Sequence, residues 1–98
     1  MQVAFHPRAA EDAAAIDGWW KANRRAAPDL FLRELEQAVA LIADSPTLGK
    51  AANDDDLPGV RRVLMRRTRY HVYYRVTGET LEVLAIWHGA RGEGPMLG

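Results

Sequence analysis

The sequence predicts an α+β fold in a single domain, residues 1–98: a short N-terminal strand, a two-helix antiparallel hairpin, then a three-stranded antiparallel sheet with the helices packed on one face. Three observations carry this. Between residues 8 and 44, apolar side chains recur at spacings of four, three and four, the period of one helical face. Beyond residue 60 that period gives way to short runs of β-branched and aromatic residues. The 98 residues, 48% apolar and 27% charged, match an ordinary globular domain with room for one core.

Val3 and Phe5 alternate with Gln2, Ala4 and His6, a short strand that Pro7 stops or hands to a helix start. From Arg8 to about Arg25, Ala9, Ala13, Ile16 and Trp20 share one stripe, which predicts the first helix. Pro28 suits the first turn of a second helix, where its missing N–H would have had no partner, and Asp29 complements the helix dipole. Phe31, Leu35, Ala38 and Ile42 repeat the stripe until Pro46, which disfavours helical geometry at Ser45. A joint of a couple of residues around Ala26-Ala27 makes the pair an antiparallel hairpin. Thr47 to Gly59 reads as a loop with Asp54-Asp55-Asp56 at its tip. Strands are expected over Val60 to Arg67, Tyr70 to Val76 and Thr80 to Trp87, with a hairpin turn at Thr77-Gly78-Glu79. Val83 to Trp87 is apolar on both alternating sets, as in a central strand covered in part on both faces. The Gly-rich tail, 92–98, is expected to be flexible.

A helical hairpin covers one face of a sheet, so the other should be open. Alternation directs Val72, Tyr74 and Val76 toward the helices and His71, Tyr73 and Arg75 outward. Placing Val63 and Met65 inward sends Arg62, Leu64 and Arg66 outward; the opposite parity, with Leu64 in and Val63 out, also fits the pattern. On the first parity the open face is basic, with Tyr73 among the charges.

The net charge of zero hides a division. Residues 1–56 carry six bases against ten acids, −4, whereas residues 57–98 carry seven arginines against three glutamates, +4. Such asymmetry suggests a surface built to meet an anionic partner. No apolar run approaches the roughly 18 to 20 residues that span a bilayer, and the amino terminus lacks the pattern of a secretory signal, so a cytoplasmic location without membrane contact is expected. Without cysteine there is no disulfide, thiolate nucleophile or Cys-ligated zinc.

No Gly-rich phosphate loop, Ser-His-Asp arrangement or His-Glu-x-x-His pattern occurs, so nothing calls for a cofactor or supports protease chemistry. Asp54-Asp55-Asp56 lacks the alternating spacing of a calcium loop and reads as hydrated loop rather than metal site. His71 and His88, with Arg91 near, read either as an acid–base pair or as structural histidines at strand ends. His6 has no partner at ligand spacing, and Trp87 reads as core. Adjacent Trp19 and Trp20 cannot share one stripe, so one is exposed, as core rim or as a docking anchor. The six arginines from Arg61 to Arg75, without an acid among them, read as a contact surface or as charges guarding a sheet edge.

The last third of the chain narrows the class. Gly59-Val60-Arg61-Arg62, then Arg69-Tyr70-His71-Val72-Tyr73-Tyr74-Arg75-Val76, then Leu81 to Arg91 resembles the ParE/RelE toxin superfamily, and the ParE branch in particular. That branch shows a Tyr-x-Val-x-Tyr-Arg strand followed by Val-Leu-x-Ile-x-His-x-x-Arg, and the resemblance extends to Pro7 and to Ser45-Pro46 with Gly49. It implies a toxin of a type II toxin–antitoxin pair, held in a hetero-oligomer by a cognate ParD-like or similar antitoxin. ParE-like members are associated with poisoning DNA gyrase, and RelE-like members cleave messenger RNA on the ribosome. The resemblance implies antitoxin contacts at Trp19, Trp20, Arg61, Arg62, Arg66 and Arg69, and target contacts at Arg75, His88 and Arg91, with no direct nucleic-acid binding.

The RelE alternative would use Arg62, His71, His88 and Arg91. Arg62 and Arg91 stand where that pattern has bases, but Leu64 replaces a Lys, His71 an Arg and Leu97 the terminal Tyr. If each missing group costs about 2.7 to 4 kcal/mol, as a removed oxyanion-hole donor does, several kcal/mol of transition-state stabilisation are lost. A binding toxin is therefore expected rather than an enzyme, and an inactive scaffold is the third reading.

Overall fold

The computed structural model describes residues 1–52, 57–90, 94, 95 and 97, so Asp54, Asp55, Asp56 and Arg91 lie outside the described residues. Strand β1 (Gln2–Phe5) leads into helix α1 (Pro7–Asn23). Pro7 takes the first helical turn, and the His6 side chain accepts the Arg8 N–H at 3.1 Å, so the isolated histidine is a helix cap. Helix α2 (Leu30–Asp44) buries Phe31, Leu35, Ala38 and Ile42, the expected stripe. Its N-cap is Asp29, so Pro28 precedes the helix instead of lying in its first turn, and the joint runs from Arg24 to Asp29. Two consecutive tight turns, closed by Ala27 N–H to Arg24 C=O and Leu30 N–H to Ala27 C=O, account for the longer joint.

The sheet has five strands in the order β1-β5-β4-β3-β2, where β2 is Lys50–Ala51, β3 Arg61–Leu64, β4 Tyr70–Thr77 and β5 Thr80–His88. The expected antiparallel β3-β4-β5 unit is present. It gains β1, parallel to β5, and β2, two residues of the expected loop that pair with Arg61 and Arg62. β3 stops earlier than expected because the chain reverses between Met65 and Tyr70, whose N–H and C=O meet at 2.8 Å, with Arg69 at φ +70°. Glu34 of α2 fastens this turn. Its carboxylate accepts the Arg67 N–H at 2.8 Å, the Thr68 N–H at 2.9 Å and the Thr68 hydroxyl at 2.6 Å.

The main core joins the two helical stripes to Met65, Val72, Tyr74, Leu81, Val83 and Ile86. Burying each large apolar side chain contributes about 1.5 to 3 kcal/mol. Val63 packs on this side, which settles the parity of β3 and leaves Arg62 and Leu64 on the other face. The Tyr74 hydroxyl donates to the Pro46 carbonyl at 2.7 Å and accepts the Gly49 N–H at 2.9 Å. A Cβ at Gly49 would lie 2.7 Å from that hydroxyl and 2.8 Å from the Arg62 carbonyl, so the close approach requires glycine. Val76, expected inward, is exposed near the β4–β5 turn.

The second face is not open as expected. Val60, Tyr73, Leu84 and Ala85 form a second buried cluster there, against which Ala52, Leu57, Trp87 and Leu97 pack. A β-bulge makes it possible. Tyr73 pairs with Ala85 and Tyr74 with Val83, so Leu84 is the extra residue, and both Leu84 and Ala85 join this cluster while Val83 and Ile86 face the helices. Tyr73, expected outward among charges, is only 5% exposed. Past Phe5, where β1 ends, the Ile86 N–H has no strand partner on that side and donates instead to Asp12 of α1 at 3.1 Å. Among the described residues no helix is long and apolar enough to cross a membrane.

Candidate functional site

The bare part of the second face lies at the β3 end of the sheet. Arg62 sits between Lys50 on β2 and Tyr73 on β4, with its Nη1 3.5 Å from the Tyr73 hydroxyl. His71 stands opposite Leu64 on β3 and Trp87 on β5, its ring 6.2 Å from that of Tyr73 and edge-on to it. Burial pushes His71 below the ordinary imidazole value, and the charges of Arg62 and His88 lower it further. The neutral form of His71 is therefore favoured over its charged form.

His88 ends β5 on the opposite parity, stacked edge-on against Tyr70 at 4.9 Å, with its Nδ1 accepting the Ala90 N–H at 3.1 Å. It nevertheless lines a 360 Å³ cavity together with His71, Leu64, Arg69, Gly89 and Ala90. The structure thus brings Arg62, His71 and His88 into one neighbourhood, whereas Arg91 lies outside the described residues. Neither histidine has a carboxylate partner among the described residues, and no group of His, Asp and Glu there could hold a metal ion.

The other arginines divide into engaged and free. Arg61 donates to the Gly49 carbonyl at 2.7 Å and holds the loop that Tyr74 also pins. Arg75 pairs with Glu82 directly across the β4–β5 ladder at 3.7 Å, so an acid absent from the arginine-rich segment arrives from the next strand. Arg69 holds the positive-φ turn position, and its carbonyl accepts the Gly89 N–H at 2.7 Å. Arg62, Arg66 and Lys50 have no ion pair among the described residues, and they line one groove with Leu41, Leu48 and Leu64. Sequence reading missed Lys50, Leu41 and Leu48; the available signal was that Leu41 lies off the buried stripe of α2.

Trp19 and Trp20 belong to the helical layer, which packs against the other side of the sheet. Trp20 meets the core, while Trp19 is 45% exposed, edge-on to Trp20 at 5.9 Å and with the Arg24 guanidinium 5.1 Å above its ring. The tryptophans and the basic face are thus two separate surfaces.

The family described as the ParE toxin of type II toxin–antitoxin system, parDE, matches residues 3–92. Toxin ParE1 of Mycobacterium tuberculosis is 37% identical over 59 residues, 59% of this chain, and the match spans 57% of that relative's length. The fold is similar to the chromosomal ParDE system of P. aeruginosa, with TM-score 0.61 and 22% identity over 90% of this chain and 95% of that one. It is also similar to the intact E. coli RelBE toxin–antitoxin complex, with TM-score 0.58 and 17% identity over 92% of this chain and 98% of that one. With strand, helical hairpin and arginine-bearing sheet all inside the matched region, this chain belongs to the ParE toxin family of type II toxin–antitoxin systems.

Proposed function

We propose that this protein arrests growth by binding DNA gyrase, and that a ParD-like antitoxin neutralises it in a hetero-oligomer in the cytoplasm. The observation that best supports binding over catalysis is the chemistry of the basic face. Leu64 and Leu97 bring no ionisable group, and His71, with its value lowered by burial and by Arg62, does not restore the positive charge of the Arg it replaces. Cleavage of RNA needs a base for the 2′-hydroxyl and cations for the phosphorane, and of the RelE-type cation positions among the described residues this face keeps only Arg62, which lies against the Tyr73 hydroxyl. Antitoxin contacts are assigned to Trp19, with Trp20 behind it, and to Arg62, Arg66 and Arg69; Arg61 is the least available because loop carbonyls hold it. Target contacts are assigned to His88 and Arg91, with Arg75 partly neutralised by Glu82.

Purified toxin at micromolar concentration is expected to inhibit gyrase supercoiling or to accumulate gyrase-cleaved DNA. Unchanged supercoiling and cleavage would exclude gyrase as the target. The clustering of Arg62, His71 and His88 keeps an endoribonuclease as the second reading. Primer extension on translated messages after induction separates the two, because only a nuclease creates new 5′ ends within codons.

A further inference from the structure

We propose that the outer edge of β1 pairs with the same strand of a second copy of this chain, about a two-fold axis through Val3. The result is one continuous sheet of ten strands, five from each copy, with the two β3 edges left free at its ends. The inference goes beyond the proposed target and antitoxin and depends on neither. Backbone, side chains and charge at one place carry it.

The backbone of β1 is used on one side only. Gln2 N–H donates to the Glu79 carbonyl at 3.0 Å and His6 N–H to the Val83 carbonyl at 2.8 Å, so in this parallel ladder the even residues face β5. The N–H and C=O of Val3 and Phe5 point away from the sheet, and among the described residues no hydrogen bond meets them. This open edge is short. Pro7 has no N–H to continue it, and past Phe5 the Asp12 carboxylate takes the Ile86 N–H. The occupant is therefore a strand no longer than β1 itself.

The side chains beside that edge are apolar and bare. Val3 is in register with Leu81 and Phe5 with Val83, both in the main core, so Val3 and Phe5 lie on the helix side at the rim of that core. Yet Val3 is 40% exposed, Phe5 37% and Met1 55%. An antiparallel copy centred on Val3 sets Val3 of one copy against Val3 of the other and Met1 of each against Phe5 of the other, which joins the two cores across the axis. On the opposite face the same register brings Gln2 beside Ala4, a pair too small to obstruct the approach.

Charge selects a second copy over other occupants. From Met1 through Pro7 there is no Asp, Glu, Lys or Arg, so β1 lacks the charged side chains with which edge strands repel their own kind. An acidic or basic peptide finds no counter-charge there. The β3 edge differs, because Lys50, Arg62 and Arg66 line it and two copies meeting there would set cation against cation. A second β1 is neutral, apolar and of the length the open edge admits. So short a contact falls in the class below about 1,200 Å² of total buried area, so the association is weak and reversible.

The test is sedimentation equilibrium of the whole toxin from about 1 to 500 μM, with Val3→Pro and Val3→Lys beside wild type. The Val3 N–H is unused in the monomer, so proline there leaves the β1–β5 ladder intact, and unchanged thermal melting at low concentration controls for folding. Because the chain has no cysteine, a single Val3→Cys under mild oxidation reports the axis, with Leu48→Cys, exposed on the β3 side of the molecule, as the control. Wild type is expected to move from the mass of one chain toward that of two, and both variants to dimerise about tenfold or more weakly. Val3→Cys is expected to cross-link about tenfold or more faster than Leu48→Cys. A wild type that stays monomeric throughout, or a dimer that forms equally well in both variants, overturns the inference. So does a Val3 amide whose hydrogen exchange slows on adding antitoxin but not on raising toxin concentration, which gives the edge to the other partner. None of these results bears on the gyrase reading.

Discussion

His71 shows how a single residue on this face couples stability to pH. Burial, then Arg62, then His88 lower its folded-state value below 6.5, the value it has when unfolded. Between those two values the unfolded chain binds the proton and the folded chain does not, so stability rises with pH through that window. Its contribution is complete above 6.5, is lost as the pH falls toward the folded value, and levels off below it. Urea unfolding of wild type from pH 7.5 to 5 is expected to show this loss, and His71→Gln to flatten it. Equal pH slopes in the two proteins would contradict the assignment. Sequence parity placed His71 outward correctly, but its partial burial comes from residues on three strands and was not legible in one.

At the scale of elements, the β3–β4 turn depends on α2. Arg69 at φ +70° costs about 1 to 3 kcal/mol for a residue other than glycine or asparagine. The Glu34 carboxylate offsets this with three hydrogen bonds to Arg67 and Thr68, and Gly89 adds a fourth by donating to the Arg69 carbonyl. Glu34→Ala is expected to lower the unfolding free energy by about 1.5 to 3 kcal/mol, read from urea denaturation, and to speed exchange of the Arg67 and Thr68 amides. Faster exchange confined to the distant β4–β5 turn would argue against a latch. Nothing in the spacing of Glu34 marks it for this work. It reads as one more exposed helix charge until the hairpin, 34 residues on, folds over it.

Over the whole molecule, zero net charge is the sum of an acidic N-terminal half and a basic sheet half. The structure thins the basic side further. Arg61 is spent on the Gly49 loop and Arg75 on Glu82, which leaves Lys50, Arg62 and Arg66 concentrated at the β3 edge. On the proposed function, an acidic antitoxin should be steered to that edge, so its association rate is expected to fall by about tenfold or more between low and high salt in stopped-flow measurements. Arg66→Glu should reduce this salt dependence, and a rate independent of salt would show that the edge does not steer.

Sequence alone determined the two helical stripes, the three C-terminal strands and the family, because each rests on a local period or on residues adjacent in the chain. Tertiary structure alone decided the rest. The parallel pairing of β1 with β5 joins segments some 80 residues apart, and a four-residue strand carries no signal for its partner. The bulge at Leu84 flips one residue of register, so the face that alternation leaves open acquires a second buried cluster around Tyr73. The exposed groove at Leu41, Leu48 and Leu64 exists only because a helix, a loop and a sheet edge converge there, a convergence that local periodicity does not encode.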